Sequence, residues 1–201
     1  MEIYPVIMAG GSGTRFWPAS RTHLPKQFLN IFGSKTMIEQ TIERVTPLTG
    51  EEKIIIVGNV VHHELLEKIR GPKRYVLLEE PFGRNTAPCI GLAAVYLRKR
   101  GVISEPLAVL PADHFIADEK RFLGILSMAG RLAAEGSIVT IGIVPSRPET
   151  GYGYLKKGAV RYQKEGVDIC EIKRFVEKPG GDEALHMSRA ETICGTAGYL
   201  S

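Results

Sequence analysis

The sequence is poor in cysteine and has no long apolar segment. Its three cysteines, Cys89, Cys170 and Cys194, are odd in number and lack the spacing of a metal site, so they predict reduced thiols rather than disulfides. No run approaches the roughly 20 apolar residues of a membrane helix. No basic leader precedes the short apolar run near the N-terminus. We therefore expect a cytoplasmic protein with no membrane partner.

The excess of positive charge is also small. The 26 lysines and arginines outnumber the 22 acidic residues by only four, and these charges are dispersed along the chain. Without a basic stripe that carries interleaved aromatic residues, the sequence argues against a nucleic-acid partner, whereas a mild positive charge suits a small anionic substrate. At 201 residues and 44% hydrophobic content, the chain can bury one sizeable core, so a single domain is the default expectation.

Apolar strand-like runs alternate with longer amphipathic stretches. The runs are Ile3 to Met8, Ile54 to Val57, Tyr75 to Leu78, Leu107 to Leu110 and Ile138 to Ile143. This alternation predicts an α/β fold, with a Rossmann-like, open and mostly parallel sheet and helices on both faces.

Polar residues indicate where two of the helices begin. Thr36 and Glu39 have the spacing of a capping box for a helix from Met37 to Val45, and Thr86 is the predicted cap of the stretch from Ala87 to Arg100. Beyond Pro145 the pattern changes to short runs rich in glycine and tyrosine, which predict a hairpin.

The first strand leads into a glycine-rich loop that is followed by two cations. The segment reads Met8-Ala-Gly-Gly-Ser-Gly-Thr-Arg-Phe-Trp-Pro18, and Pro25-Lys26-Gln27-Phe28 follows it. Glycines in such a loop allow backbone N–H groups to approach phosphate oxygens, and cations neutralise the phosphate charge. The loop therefore predicts a triphosphate site, with Arg15 and Lys26 as its cations and with Gly10, Gly11, Gly13 and Thr14 as its loop residues.

Two better-known glycine motifs do not fit. A Walker loop requires lysine and serine or threonine directly after its last glycine, whereas Thr14 and Arg15 follow Gly13. A dinucleotide fingerprint requires a small residue where this sequence has Phe16. An ordinary glycine-rich turn without a ligand remains the alternative.

Asp113 follows the predicted strand Leu107 to Leu110. A carboxylate at a strand end beside a triphosphate is typical of Mg²⁺ sites, which combine one or two carboxylates with phosphate oxygens. Asp113 is therefore the candidate metal ligand. The alternative, equally supported by its position alone, is that Asp113 caps the following helix. His114 is left out of the catalytic set, because a lone histidine more often satisfies local hydrogen bonds.

Together with four further blocks, the opening loop resembles the sugar-1-phosphate nucleotidyltransferase family. Those blocks are Glu79-Glu-Pro-Phe-Gly-Arg-Asn-Thr-Ala-Pro88, Leu110-Pro-Ala-Asp-His-Phe-Ile116, Thr150-Gly-Tyr-Gly-Tyr154 and Phe175-Val-Glu-Lys-Pro179. Their order and wording are most similar to bacterial mannose-1-phosphate guanylyltransferases. The resemblance implies transfer of GMP from GTP to α-D-mannose 1-phosphate, with Mg²⁺ as cofactor, giving GDP-mannose and pyrophosphate. The catalytic residues are then Arg15, Lys26 and Asp113.

The resemblance also assigns binding roles that the residues alone leave open. It implies nucleotide contacts for Glu80, Arg84, Asn85 and Thr86, although Asn85 and Thr86 also suit a turn and a helix cap. It implies sugar-phosphate contacts for Gly153, Tyr154, Glu177 and Lys178. The alternatives there are a tight strand turn with packed tyrosines and a solvated surface ion pair.

The end of the sequence departs from the family. Where the resemblance predicts Tyr-Leu-Trp-Asn-Ser-Gly-Ile-Phe, the chain reads Ile193-Cys-Gly-Thr-Ala-Gly-Tyr-Leu-Ser201. One set of codons for residues 192–201 encodes the expected motif in a second reading frame, so a single-base slip is our hypothesis and a naturally divergent end is the alternative. The expected division is an incomplete catalytic domain over residues 1–192 and a divergent tail over 193–201. We expect this loss of family residues to impair the catalytic activity of the chain. Apolar surface exposed there would favour association into a homo-oligomer.

Two other functions stay open on sequence grounds. A nucleotidyltransferase for another hexose 1-phosphate would share the opening loop, and a non-catalytic nucleotide-binding subunit would bind a nucleotide without releasing pyrophosphate.

Overall fold

The structure is a computed structural model that describes residues 2–11, 16–151, 153–164, 166–189 and 193–200, with Arg189 and 193–200 described for the backbone only. The chain forms two compact units. The first comprises Met1–Val139 and Tyr199–Ser201, and the second comprises Thr140–Gly198. The expected division at residue 192 stays a prediction.

The first unit contains a parallel four-stranded sheet. Its strands are β1 (Tyr4–Met8), β2 (Ile55–Asn59), β3 (Val76–Glu80) and β4 (Leu107–Pro111), in the spatial order β3-β2-β1-β4. All three neighbouring pairs are parallel. Four of the five apolar runs predicted these strands to within one or two residues, and the predicted fold class is confirmed.

Four helices connect or follow these strands. They are α1 (Met37–Thr49), α2 (His63–Arg70), α3 (Thr86–Lys99) and α4 (Glu119–Ala134). The predicted capping box of α1 is present, since the Glu39 backbone N–H donates to the Thr36 hydroxyl and the Glu39 carboxylate accepts from the Thr36 N–H. Among the described residues, no helix is long and apolar enough to cross a membrane.

Two details of the helix predictions are corrected. Helix α1 continues four residues beyond Val45 and includes Pro47, because its buried positions extend past the predicted end. The N-cap position of α3 belongs to Asn85 rather than to Thr86, which is the first helical residue. Asn85 has a φ of 67° and a ψ of −159°, a backbone conformation that residues other than glycine rarely adopt.

The core lies on both faces of the parallel sheet. Val6, Ile55 and Val57 form a buried cluster with Cys89, Ala93 and Leu97 of α3, so α3 covers one face. Successive strand residues point to opposite faces, and Ile7 and Ile56 are also fully buried. The opposite face is therefore covered too, and α1 is a further helix that contacts β1. Burial on both faces explains why these strands read as continuous apolar runs rather than as alternating patterns.

The second unit is dominated by a long antiparallel hairpin, as predicted beyond Pro145. Strand β6 (Gly153–Lys164) pairs with β7 (Val167–Glu177), and Gly166 in the connection has a φ of 73°. Strand β5 (Val139–Ile143) precedes the hairpin, and α5 (Gly181–Arg189) follows it.

The last strand, β8 (Ile193–Leu200), is the segment that departs from the family wording. Its first residues pair antiparallel with β6, and its last two residues pair antiparallel with β4. The hypothesis of a reading-frame slip stays a prediction, because a backbone pairing is compatible with many side chains.

Candidate functional site

The carboxyl ends of β1, β3 and β4 meet at one edge of the parallel sheet. The Ala9 N–H donates to the Val57 carbonyl at 2.7 Å, and the Ala112 N–H donates to the Met8 carbonyl at 3.1 Å. These bonds align the start of the glycine loop with the turn that carries Asp113. In open α/β sheets ligands bind at this edge, so the topology supports a site there.

Lys26 and Asp113 lie together at this edge. Lys26 opens a short 3-10 helix (Lys26–Phe28), and its Nζ is 3.4 Å from Asp113 Oδ2. The ammonium group also lies 4.5 Å from the centre of the Phe16 ring. The Asp113 side chain is 41% exposed, so its carboxylate is accessible to a ligand. Two residues that are far apart in sequence thus form one charged pair.

Asp113 does not cap the following helix. Helix α4 begins at Glu119, and its N-cap is Asp118, whose Oδ1 accepts from the Arg121 N–H at 2.9 Å. The alternative interpretation of Asp113 as a helix cap is therefore wrong, because the chain between Asp113 and Asp118 separates it from that helix start.

A buried arginine supports the turn around Asp113. Arg44 of α1 donates to the His114 carbonyl at 3.4 Å and forms an ion pair with Glu119 at 3.2 Å. The Thr41 hydroxyl lies 3.4 Å from the Ala112 carbonyl. Groups of α1 thus reach the carbonyls on both sides of Asp113. Sequence reasoning missed this arrangement. The available signal was Arg44 itself, a charged residue on an otherwise apolar face of α1.

His114 is largely enclosed, and burial lowers the pKa of its imidazole, with Lys26 and Arg44 acting in the same direction against Asp113. The lowered pKa keeps the ring neutral at pH 7. A neutral, enclosed ring agrees with a local structural role for His114.

Glu80, at the end of β3, faces the glycine loop. It is only 7% exposed, and burial raises the pKa of its carboxyl group. A Cβ atom placed on Gly10 would lie 3.2 Å from Glu80 Oε2, and one placed on Gly83 would lie 3.6 Å from the Gly10 carbonyl oxygen. Glycine at position 10 therefore allows the Glu80 carboxylate to lie directly against the loop backbone. Arg84 is exposed and Thr86 is half-buried, beside Asn85 with its positive φ.

The remaining predicted loop residues, Gly13, Thr14 and Arg15, lie outside the described residues, and their roles stay predictions. The start of the loop is described as far as Gly11. There the Gln27 side chain donates hydrogen bonds to the carbonyls of both Ala9 and Gly11. Gln27 belongs to the Pro25–Phe28 segment that follows the loop in the sequence. That a glutamine stands there did not predict this contact.

The predicted sugar-phosphate residues lie in the second unit. A Cβ on Gly153 would come within 2.7 Å of the Phe175 ring, so any larger residue at this position would displace that ring. Tyr154 is only 2% exposed, and its hydroxyl accepts from the Glu149 N–H at 2.8 Å. Glu177 and Lys178 form an exposed ion pair with an N–O distance of 3.3 Å. The sugar-binding role of these four residues stays a prediction.

The chemistry of Asp113 fits a hard divalent cation only in part. Its carboxylate oxygens are suitable donors, but the described residues contain no group of three histidine, cysteine, aspartate or glutamate side chains that could hold a metal ion. Mg²⁺ is commonly bound through one or two carboxylates, with phosphate oxygens and water completing the octahedron. Asp113 therefore fits such a metal in the presence of a bound phosphate ligand.

A glycine loop, a lysine and an accessible aspartate at the carboxyl edge of an open parallel sheet are typical of phosphate-binding α/β proteins. The sequence matches the nucleotidyl transferase family over residues 4–200, and the chain belongs to that family. The resemblance drawn from the five sequence blocks is thereby confirmed. Family members use a nucleoside triphosphate and a sugar 1-phosphate as substrates, and they generally use a divalent metal.

Individual relatives are similar over nearly the whole chain. The mannose-1-phosphate guanylyltransferase of Salmonella muenchen is 42% identical over 99% of this chain. The alginate biosynthesis protein AlgA of Pseudomonas aeruginosa is 44% identical over 97% of it. The chain covers 42% and 39% of these proteins, so it spans about two fifths of the length of the curated relatives that it matches.

A solved structure agrees with these relatives. The crystal structure of mannose-1-phosphate geranyltransferase from Thermus thermophilus superposes on all of this chain and on 57% of its own, with a TM-score of 0.85 and 37% identity.

Proposed function

We propose that the protein transfers GMP from GTP to α-D-mannose 1-phosphate and releases pyrophosphate. The observation that carries this proposal is the Lys26–Asp113 pair beside the glycine loop, since a cation and an accessible carboxylate there are what a metal-bound triphosphate requires. The names of relatives at 42% identity support mannose 1-phosphate as the acceptor.

The reaction needs no nucleophile from the protein. The phosphate oxygen of the sugar phosphate is already anionic, and it attacks the α-phosphorus in line while pyrophosphate leaves. Catalysis then depends on alignment of the two substrates and on neutralisation of charge by Lys26 and Arg15. Asp113 would hold Mg²⁺ together with phosphate oxygens, and the bound metal would supply further charge neutralisation.

Glu80 supports guanine as the base. Guanine presents two adjacent donors, N1–H and the N2 amino group, and an ionised carboxylate can accept from both at once. Adenine presents an acceptor beside its amino donor, and uracil and thymine present one N–H between two carbonyl oxygens. A buried carboxylate against Gly10, at the edge where the nucleotide is expected, therefore favours GTP over the other nucleoside triphosphates.

The sugar phosphate is assigned to the second unit. Gly153 and Tyr154 would border the sugar ring, Glu177 would accept from a sugar hydroxyl, and Lys178 would bind the phosphate. The ion pair of Glu177 and Lys178 is exposed, so both charged groups are accessible to a ligand in solution.

The test measures GTP binding by calorimetry and pyrophosphate release with mannose 1-phosphate, on the 201-residue chain. The expected result is GTP binding together with Mg²⁺-dependent release that is slow, in keeping with the low activity expected for this chain, and that is faster with GTP than with ATP, UTP or dTTP. Binding of GTP without pyrophosphate release would instead identify a nucleotide-binding subunit, and a faster reaction with another triphosphate would make it a different transferase.

Replacement of Glu80 with glutamine should alter base selection. The amide keeps the size of the side chain but offers one acceptor and one donor, so it loses one contact to guanine and gains the pattern that suits adenine. Hydrogen bonds to charged groups contribute about 1.5–3 kcal/mol, so we expect GTP affinity to fall by roughly 10- to 100-fold relative to ATP. Calorimetric titration with both nucleotides measures the ratio.

Glu79→Gln is the matched control, because Glu79 is the adjacent residue and binds His63 Nδ1 at 2.8 Å. This variant should keep the GTP-to-ATP ratio of the parent. An unchanged ratio in Glu80→Gln as well would remove Glu80 from base recognition.

A further inference from the structure

The Gln27 side chain joins the lysine-bearing 3-10 helix to the glycine loop. Gln27 is 5% exposed, and its Nε2 donates to the Ala9 carbonyl at 2.7 Å and to the Gly11 carbonyl at 2.9 Å. A carboxamide nitrogen carries two protons, so these two bonds use both. Both distances lie within the normal range of an N–H to O hydrogen bond.

The two accepting carbonyls lie on either side of Gly10. In a trans peptide the C=O and the following N–H point in opposite directions. The Ala9 carbonyl points toward Gln27, so the Gly10 N–H faces away from it. The Gln27 contacts thus fix the orientation of the loop backbone at the residues that the phosphate site requires.

Gln27 is also adjacent to Lys26 in the chain. At one end of this connection, the Lys26 Nζ lies 3.4 Å from Asp113 Oδ2. At the other end, the Ala9 N–H donates to the Val57 carbonyl, which holds the start of the loop to the neighbouring strand. The Gln27 side chain is therefore a direct bridge between the backbone that would cradle the phosphates and the cation that would neutralise them.

We propose that Gln27 is a positioning residue for nucleotide binding, which sets the spacing between the glycine loop and Lys26. The inference rests on the proposed function, because the ligand that needs this spacing is the triphosphate. Gln27 itself acts through the loop carbonyls and through Lys26, so it orders the site without contributing charge to it.

The chain contains a matched control for this role. Gln40 in α1 makes the same kind of contact, since its Nε2 donates to the Phe32 carbonyl at 2.6 Å and to the Lys35 carbonyl at 3.0 Å. Its contacts are exposed and hold a loop other than the glycine loop. Gln27→Met and Gln40→Met therefore remove the same chemical group and the same number of hydrogen bonds.

The experiment measures GTP affinity by calorimetry, the Michaelis constants for GTP and mannose 1-phosphate, and the melting temperature of each variant. Gln27→Met should weaken GTP binding on the order of tenfold, because the Ala9 carbonyl in its buried contact and the Gly11 carbonyl in its partly buried contact lose their donor and the loop relaxes. The constant for mannose 1-phosphate should stay within about twofold, and Gln40→Met should leave both constants near those of the parent.

The outcomes separate this inference from the proposed function. A parent chain that does not bind GTP overturns both. If the parent binds GTP and the Gln27→Met variant binds GTP as tightly as the Gln40→Met variant does, the positioning role alone is overturned. Equal weakening toward both substrates, accompanied by a lower melting temperature, shows a purely structural role and also overturns it.

A measurement on the unmodified chain decides the matter if Gln27→Met does not fold. The two side-chain amide protons of Gln27 should exchange with water at least about tenfold more slowly than those of Gln40, because they are buried and hydrogen-bonded. Comparable rapid exchange of both amides, observed by NMR, would overturn the bridging geometry.

Discussion

Replacement of Lys26 with alanine should lower the rate of pyrophosphate release by about 10²- to 10³-fold, the loss that is typical when one preorganised charge is removed from a transition state. The Lys26 ammonium lies 3.4 Å from Asp113 at the carboxyl edge of the sheet. In the proposed reaction, negative charge would develop there on the leaving pyrophosphate. Its pair with Asp113 is partly exposed, and such pairs contribute only about 0–1 kcal/mol to folding. The melting temperature should therefore change little.

Lys35→Ala is the control for this variant. Lys35 also forms an ion pair, with Glu43 at 2.6 Å, but that pair is exposed and joins the residues before α1 to α1 itself. Its removal should leave pyrophosphate release unchanged. If Lys26→Ala releases pyrophosphate as fast as Lys35→Ala does, the assignment of Lys26 to the phosphate site is wrong.

The parallel sheet could be predicted from the sequence because its strands are buried on both faces. Ile55, Ile56 and Val57 are all fully buried in the core, so the strand reads as an uninterrupted apolar run with clear ends. The capping box of Thr36 and Glu39 could be predicted equally well, because its two residues lie only three positions apart in the sequence. Asn85 was harder to predict, because a positive φ depends on how the chain enters α3 rather than on any local pattern.

The site was predictable as a set of candidates but not as a geometry. The rule that parallel strands end at one edge places Asp113 near the glycine loop. It does not predict that Lys26 reaches Asp113, or that Asp118 rather than Asp113 caps α4. Those contacts depend on the path of the loops that leave β1 and β4.

Buried polar groups were the main features that sequence reasoning missed. Gln27 and Arg44 each bind backbone carbonyls, and a carbonyl belongs to every residue, so no sequence pattern identifies its partner. Burial of a polar side chain requires hydrogen-bonding partners, and this requirement becomes informative only once burial is known. If the proposed function is correct, the order of the site would depend on these two side chains, although neither carries a catalytic signature.

Replacement of Asp113 with asparagine should abolish metal-dependent turnover while leaving a folded protein. The amide is nearly isosteric with the carboxylate, but it lacks the charge that a hard divalent cation prefers. The loss of one electrostatic group of this kind costs about 3 kcal/mol of transition-state stabilisation, so we expect pyrophosphate release to fall by more than about 100-fold. Binding of Mn²⁺ in the presence of GTP, followed by electron paramagnetic resonance, gives a second readout and should weaken in parallel.

Asp118→Asn is the matched control for the metal ligand. Asp118 caps α4, and asparagine is an equally good N-cap residue, so the rate and the metal affinity of this variant should match those of the parent. An Asp113→Asn protein that keeps the parent's rate and Mn²⁺ affinity would show that the carboxylate serves only its ion pair with Lys26. The metal would then be held by the phosphate oxygens of the nucleotide, by water or by other groups of the protein.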